Sequence, residues 1–203
     1  MIVVVDYSMG NLRSVEKKLK FIDQDVCIST DIKTINGASK LVLPGVGHFS
    51  NGAIKLRELG LWDVLNKKVI EQKTPILGIC LGMQLMAKDS EEGNKEGLGW
   101  FDADIVKFRM RDQLKYKVPH MGWNNAGVNK ESVLFQGIPT EAMFYFVHSY
   151  HIKCKDKQDI LTTTEYEYPF TSSIQKGNIY GTQFHPEKSH NWGETILRNF
   201  INI

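Results

Sequence analysis

Two short stretches of this 203-residue chain carry side chains that could do covalent chemistry. The first is Gly78-Ile-Cys-Leu-Gly82, where an apolar run starting at Ile76 ends in a cysteine with a glycine two positions to either side, just before an amphipathic segment opened by Met83 and Gln84. A strand turning sharply into a helix pushes the intervening side chain out of the fold, and flanking glycines leave room for the turn and for a substrate. Cys80 placed there is a nucleophile, and the unsatisfied N–H groups of a helix's first turn favour its thiolate. A lone cysteine is otherwise a small hydrophobe of the core; only the paired glycines set this one apart. The second stretch is Gln183-Phe-His-Pro-Glu187, in which a strand ends at His185, Pro186 stops it and Glu187 follows. A cysteine nucleophile needs a base to take its proton and return one to a leaving amine, and the base needs a carboxylate to fix its tautomer. His185 and Glu187 can fill these roles. Taken alone, a histidine at a strand end with a glutamate nearby is also an ordinary surface pattern.

The elements that must carry these groups follow from the hydrophobic pattern. Ile2 to Val5 reads as a strand buried on both faces, and Asp6 to Gly10 as the turn after it. Leu12, Val15, Leu19 and Ile22 recur at helical spacing and predict a helix from Leu12 to Phe21. Val26 to Ser29 and Leu41 to Leu43 are further strands, the latter ending in Pro44-Gly-Val-Gly47, a pattern that on its own is a tight turn. Ile54, Leu56, Leu59, Leu61, Val64 and Leu65 predict one or two helices before Ile76. Strands alternating with helices imply a parallel sheet with right-handed crossovers. The loops at the carboxyl ends of its strands, Asp6 to Gly10, Pro44 to Gly47 and Cys80, should meet in one crevice. After a helix from Met83 to about Ala87, Ser90 to Gly99 reads as a charged loop. Strands then dominate: Ile105 to Phe108, Met143 to Val147, Ile160 to Thr164, Thr171 to Gln175 and Ile179 to Phe184, with a turn at Lys176 to Asn178. This half is antiparallel or mixed, and a helix from about Trp192 to Ile201 closes the chain.

Lysine and arginine number 25 against 23 acidic residues, and a net charge of +2 gives no sign of a nucleic-acid or membrane surface. Met1 to Val5 is apolar but has no basic leader and meets Asp6 too soon for a signal peptide or a membrane span, so the cytosol is expected. The three cysteines, Cys27, Cys80 and Cys154, lie too far apart for a disulfide framework or a Cys-x-x-Cys metal site and suit a reducing compartment. No linker, repeat or low-complexity stretch divides the chain, and residues 1–203 are expected to form one domain. His148 and His151 invite a metal reading, but three residues apart on one strand they would face opposite ways. His48, His120 and His190 lack a ligand cluster, and no Walker-type loop is present, so neither a metal nor a cofactor is expected.

Gly-Ile-Cys-Leu-Gly-Met-Gln and Gln-Phe-His-Pro-Glu together resemble the class I, or triad-type, glutamine amidotransferases. Further stretches are similar to the HisH family, the glutaminase subunits of imidazole glycerol phosphate synthase: Asp6-Tyr7 with Gly10-Asn-Leu-Arg-Ser-Val15, Leu43-Pro-Gly-Val-Gly47, Pro119-His-Met-Gly-Trp-Asn124, Tyr145-Phe-Val-His-Ser-Tyr150 and His185-Pro-Glu-Lys-Ser189. The resemblance runs from Met1 to the closing helix. Ser8 departs from it, standing where many members carry glycine. The resemblance implies a single type 1 glutamine amidotransferase domain. Its fold is an α/β three-layer sandwich with a mixed, mostly parallel, flavodoxin-like central sheet and a smaller antiparallel sheet.

It also implies hydrolysis of L-glutamine to glutamate and ammonia through a Cys80 thioester, with His185 moving protons and Glu187 orienting it. The backbone N–H groups of Val46, Gly47 and Leu81 are the implied oxyanion donors, and Gln84 with the Ser149, Tyr150 and His151 backbone would hold the substrate's amino-acid end. Asn11, Trp123, Tyr145 and Lys188 would face a HisF-type (β/α)8 cyclase subunit in a heterodimer with an ammonia channel, although core packing is an equal reading of the two aromatics. There the ammonia would join N′-phosphoribulosyl-formimino-AICAR-phosphate, giving imidazole glycerol phosphate and AICAR. Val46 resists positive φ, so its peptide with Gly47 is expected to rest with the N–H turned from the oxyanion position until partner and ligand bind. Three rivals stay open: a paralogue feeding ammonia to a sugar-amidating synthase of surface-polysaccharide synthesis, a non-catalytic regulatory binding subunit, and a cysteine peptidase or amidase. The intact Cys80, His185 and Glu187 oppose the second, and the third gives Gln84 no role.

Overall fold

A computed structural model describes residues 1–23 and 25–203. The chain opens with β1 (Ile2–Val5), α1 (Leu12–Ile22), β2 (Val26–Ser29), α2 (Ile32–Asn36), β3 (Lys40–Gly45), α3 (Phe49–Glu58) and α4 (Leu61–Asn66). It continues through β4 (Ile76–Cys80), α5 (Leu81–Gln84), β5 (Ala87–Ser90), β6 (Lys95–Glu96) and β7 (Phe101–Lys107). The rest is β8 (His120–Asn125), β9 (Gly127–Val128), β10 (Met143–His148), β11 (Tyr150–Cys154), β12 (Ile160–Tyr166), β13 (Tyr168–Lys176), β14 (Ile179–Thr182) and α6 (His190–Ile201).

The main sheet runs β2-β1-β3-β4-β14-β13-β11-β7-β5-β6, parallel from β2 to β14 and antiparallel where β14, β13, β11 and β7 meet. Side chains alternate along β1: Ile2 and Val4 enter a core with Val15 and Leu19 of α1 and Leu197 and Phe200 of α6, while Val3 and Val5 enter one with Phe49, Leu56, Leu61 and Leu65. Helices thus cover both faces, as the unbroken β-branched run required. Each fully buried large apolar side chain contributes about 2 kcal/mol of transfer free energy to these two layers. A second, two-stranded ribbon pairs β8 with β10, setting Trp123 against Tyr145 and His120 against His148. Among the described residues no helix is long and apolar enough to cross a membrane.

Three local expectations are corrected. The helix from Met83 to about Ala87 is one turn ending at Gln84, because Met86 offers its carbonyl to the Trp100 and Phe101 N–H groups and the chain then pairs with β7 from Ala87. Ser90 to Gly99 is partly strand, with Asp89 and Ser90 paired to Glu96 and Lys95. The pattern also gave no sign of α2, β8, β9 or β11, all short or rich in polar residues and glycine.

Candidate active site

Cys80 is the last residue of β4 and the N-cap of α5, with φ 53° and ψ −109°, a backbone conformation that costs a non-glycine residue about 1–3 kcal/mol. Its neighbours explain how the strain is held. A Cβ on Gly82 would lie 1.7 Å from the Leu43 carbonyl oxygen, and one on Gly78 would lie 2.7 Å from the Met83 nitrogen, so only glycine lets the turn close this tightly. The helix expected to polarise the thiol is a single turn, and what it supplies is its local N–H groups rather than an extended dipole.

His185 follows β14, where Pro186 ends the extended chain and begins a short helical turn, Pro186–Lys188. Its Nδ1 lies 2.8 Å from Glu187 Oε1, and both side chains are buried. An ionised carboxylate can only accept, so Nδ1 donates to Glu187 and Nε2 is the nitrogen left to exchange a proton with Cys80. Burial alone would lower the imidazole's proton affinity; hydrogen bonding to and charge on Cys80 and Glu187 outweigh it and raise the pKa from 6.5 to about 9. Nε2 nevertheless makes no bond of good hydrogen-bond geometry, and hydrogen bonds between a nucleophile and its base are often long before substrate binds. The segment is pinned from behind: His185 N–H donates to the Tyr145 carbonyl (2.9 Å), Tyr145 N–H to Ser189 Oγ (3.0 Å), and Ser189 Oγ to the His185 carbonyl (2.6 Å).

Cys80 opens into a cavity of about 320 Å³, at the small end for ligand sites, lined among others by Val46, Gly47, Leu81, Gln84, Glu92, Ser149 and Tyr150. The three loops expected to converge do so: a Cβ on Gly10 would lie 3.2 Å from the Gly45 Cα and 3.4 Å from the Val46 nitrogen. Val46 does not take a positive φ, whereas Gly47 does at 107°. Ser8 also lies in the left-handed region, at φ 64°, steadied by a 2.8 Å bond from its N–H to Asp6 Oδ1.

Gln84 Nε2 donates to the Tyr150 carbonyl (3.0 Å) and to Gln183 Oε1 (3.1 Å), and Gln183 Nε2 lies 3.6 Å from Cys80 Sγ. Both amide hydrogens of Gln84 are therefore committed, and its remaining acceptor oxygen is what it can offer a ligand. Among the described residues Glu92 is the one carboxylate lining this cavity; its Oε2 accepts from Phe49 N–H (2.8 Å) and Oε1 is left for a cation such as an α-ammonium group. Sequence reasoning missed Glu92 and Gln183. Glu92 lies in the charged stretch taken as loop, and Gln183 stood inside the His185 motif without a role of its own.

His151 is set apart from the cavity: its ring packs on Phe108 (4.7 Å) and bonds Tyr168 Oη (3.2 Å), so only its backbone continues the Ser149-Tyr150 run. The opposite-face expectation for His148 and His151 fails. Ser149 breaks the strand between β10 and β11, and both rings lie against Phe108. Among the described residues no three His, Cys, Asp or Glu side chains gather as a metal ion would require.

Trp123, Tyr145 and Lys188 meet on one outer patch. The Trp123 ring is 5.9 Å from Tyr145 edge-on, lies flat on His190 at 4.9 Å, and Lys188 Nζ sits 5.8 Å above Tyr145. Trp123 is 43% exposed, which removes it from the core. Asn11, exposed at the start of α1, belongs to the helix that packs against Pro186–Lys188 and α6.

Comparison with known proteins agrees with this geometry. The glutamine amidotransferase class-I family model matches residues 4–203. Two Methanococcus maripaludis proteins are similar over the full length: imidazole glycerol phosphate synthase subunit HisH 2, 51% identical over 99% of this chain and 98% of its own, and subunit HisH 1, 44% identical over 100% of both. The crystal structure of a glutamine amidotransferase, 19% identical, covers 100% of this chain and 98% of that one with a TM-score of 0.75, a likeness of fold.

Proposed function

The chain belongs to the glutamine amidotransferase class-I family, and from that premise we propose that it is the glutaminase subunit of an imidazole glycerol phosphate synthase. The observation that carries the reading is the His185–Glu187 pair, 2.8 Å apart and buried, with the imidazole in electrostatic contact with a cysteine on a strained elbow. Glutamine enters with its α-ammonium toward Glu92 and the Gln84 oxygen, which brings the side-chain amide to Cys80. His185 holds the proton of the thiol, and Sγ attacks the amide carbon as the thiolate. The oxyanion of the tetrahedral intermediate is stabilised by N–H groups of Gly47 or Val46 and of Leu81, each worth about 3 kcal/mol. The carbon–nitrogen bond then breaks as His185 returns the proton to nitrogen, releasing ammonia and leaving a thioester. Water, deprotonated by the same imidazole, cleaves the thioester to glutamate. Glu187 holds the ring in the tautomer that both half-reactions need.

Ammonia leaving a cavity this small has to be used nearby, since protonation in bulk water ends its nucleophilicity. The exposed Trp123, with Tyr145 and Lys188, has the aromatic-plus-cation character of an interface centre. It supports docking of a (β/α)8 cyclase subunit that receives the ammonia through a channel. The test is glutamate release by the purified chain alone and with the cyclase that co-purifies from its own cells, with and without that enzyme's acceptor substrate. Release that responds to neither partner nor acceptor removes the synthase reading.

A further inference from the structure

The buried histidines His120 and His148 take no part in the mechanism above, yet His148 lines the same cavity as Cys80. His148 Nδ1 lies 2.8 Å from the Tyr150 carbonyl, which can only accept, so Nδ1 carries the hydrogen. That carbonyl already accepts from Gln84 at 3.0 Å, so both of its lone pairs are occupied. His148 Nε2 is then an acceptor, and it faces His120 Nδ1 at 3.2 Å, which must be the donor. Every proton position in this chain follows from the one carbonyl at its end. The rings are boxed by aromatic neighbours: His120 stacks on Phe146 at 4.9 Å and His148 lies 5.2 Å from Phe108. Protonating His148 would require His120 to move its hydrogen from Nδ1 to Nε2. Burial holds its pKa well below the ordinary value, as do the charges of His120, His151 and His185, against a raising bond to Tyr150.

We propose that His148, held by His120, is a positioning residue that locks the Tyr150 carbonyl and through it the Gln84 amide, so that the cavity's amino-acid end is preformed for glutamine. The inference rests on the glutaminase reading. A fixed Tyr150 carbonyl holds one Gln84 hydrogen while Gln183 Oε1 holds the other, and together they turn the Gln84 oxygen toward the ligand; without the His148 donor the carbonyl is held by one bond fewer and the first of these bonds loosens. The main consequence falls on substrate binding, because the bond from His185 to Glu187 and the Cys80 elbow do not pass through His148 and the one route toward the thiol is the long 3.6 Å contact of Gln183.

The experiment compares His148→Leu, which removes the donor, with His148→Asn, whose amide nitrogen takes the place of Nδ1, in the full chain bound to its co-purifying cyclase. Glutamine turnover gives KM and kcat, and iodoacetamide, which needs no amino-acid end, reports the Cys80 thiol separately. H148L is expected to raise KM about tenfold, the effect of one buried hydrogen bond, with kcat changed less than about twofold and alkylation unchanged; H148N is expected to recover most of the KM. An unchanged KM in folded H148L, a fall in kcat and alkylation instead, or no recovery in H148N overturns the proposal. If H148L does not fold, His120→Phe keeps the stack on Phe146 while removing the donor to Nε2, and is expected to raise KM about threefold; no change there overturns it equally. A wild-type complex that releases no glutamate sinks the glutaminase reading itself, whereas normal turnover with KM indifferent to these changes sinks only the role of His148.

Discussion

His185 Nδ1 and Glu187 Oε1 are 2.8 Å apart across a single helical turn, both out of contact with water, and that bond decides which imidazole nitrogen faces the nucleophile. Glu187→Gln keeps the shape and removes the charge. It is expected to lower kcat about a thousandfold, with little change in KM, in a glutamate-release assay.

Together with Cys80, the same pair makes stability depend on pH. The folded-state pKa of His185, about 9, is above its ordinary 6.5, so the folded protein holds this proton more tightly. The contribution is complete below about pH 6.5 and is lost as pH rises through about 9. Denaturant midpoints of the wild type should fall across that window, and those of Glu187→Gln should fall less.

Val46 avoids positive φ while Gly47 takes it at 107°, and the peptide between them is the donor we propose adjusts when partner and ligand bind. Val46→Gly frees that peptide to turn. Glutamate release by the isolated chain should rise about tenfold, with a smaller further gain from partner and acceptor; an unchanged basal rate would show that this peptide does not limit the resting enzyme.

Trp123 is the exposed centre of the patch it forms with His190, Tyr145 and Lys188. Trp123→Ala should weaken association with the cyclase by about 2 kcal/mol, roughly thirtyfold in Kd by titration calorimetry, while leaving the chain's own melting temperature nearly unchanged.

Ser8 occupies a left-handed position at φ 64°. Ser8→Gly should raise unfolding free energy by about 1 kcal/mol in urea titration, the strain relieved exceeding the added entropy of the unfolded chain.

The Cys80 elbow, the His185–Glu187 contact and the parallel half of the sheet were legible because each is written locally. The glycines beside Cys80 are demanded by contacts with the next turn and the adjacent strand, and the Pro186 stop fixes His185 against Glu187 within three residues. Glu92 was not legible in this way. Its place depends on β5 and β6 folding back so that its carboxylate reaches Phe49 N–H, a contact that no periodicity in Ser90 to Gly99 encodes. The helix expected through Ala87 gave way to pairing with Phe101, tertiary structure overriding a local apolar pattern. His148 and His151 looked like one strand because Ser149 carries no mark of the break between them. Their placement against a common Phe108 follows from β7 and β13, far away in sequence.

The least comfortable backbone around the cavity belongs to the nucleophile: Cys80 is held at φ 53° between two glycines that tolerate no Cβ. Natural selection for turnover is what keeps such a kink in a lineage, since folding alone would favour a relaxed residue there. In a descendant copy released from ammonia production, this corner should be among the first places to drift, and a glycine at position 80 would mark a gene that has kept its shape after giving up its chemistry.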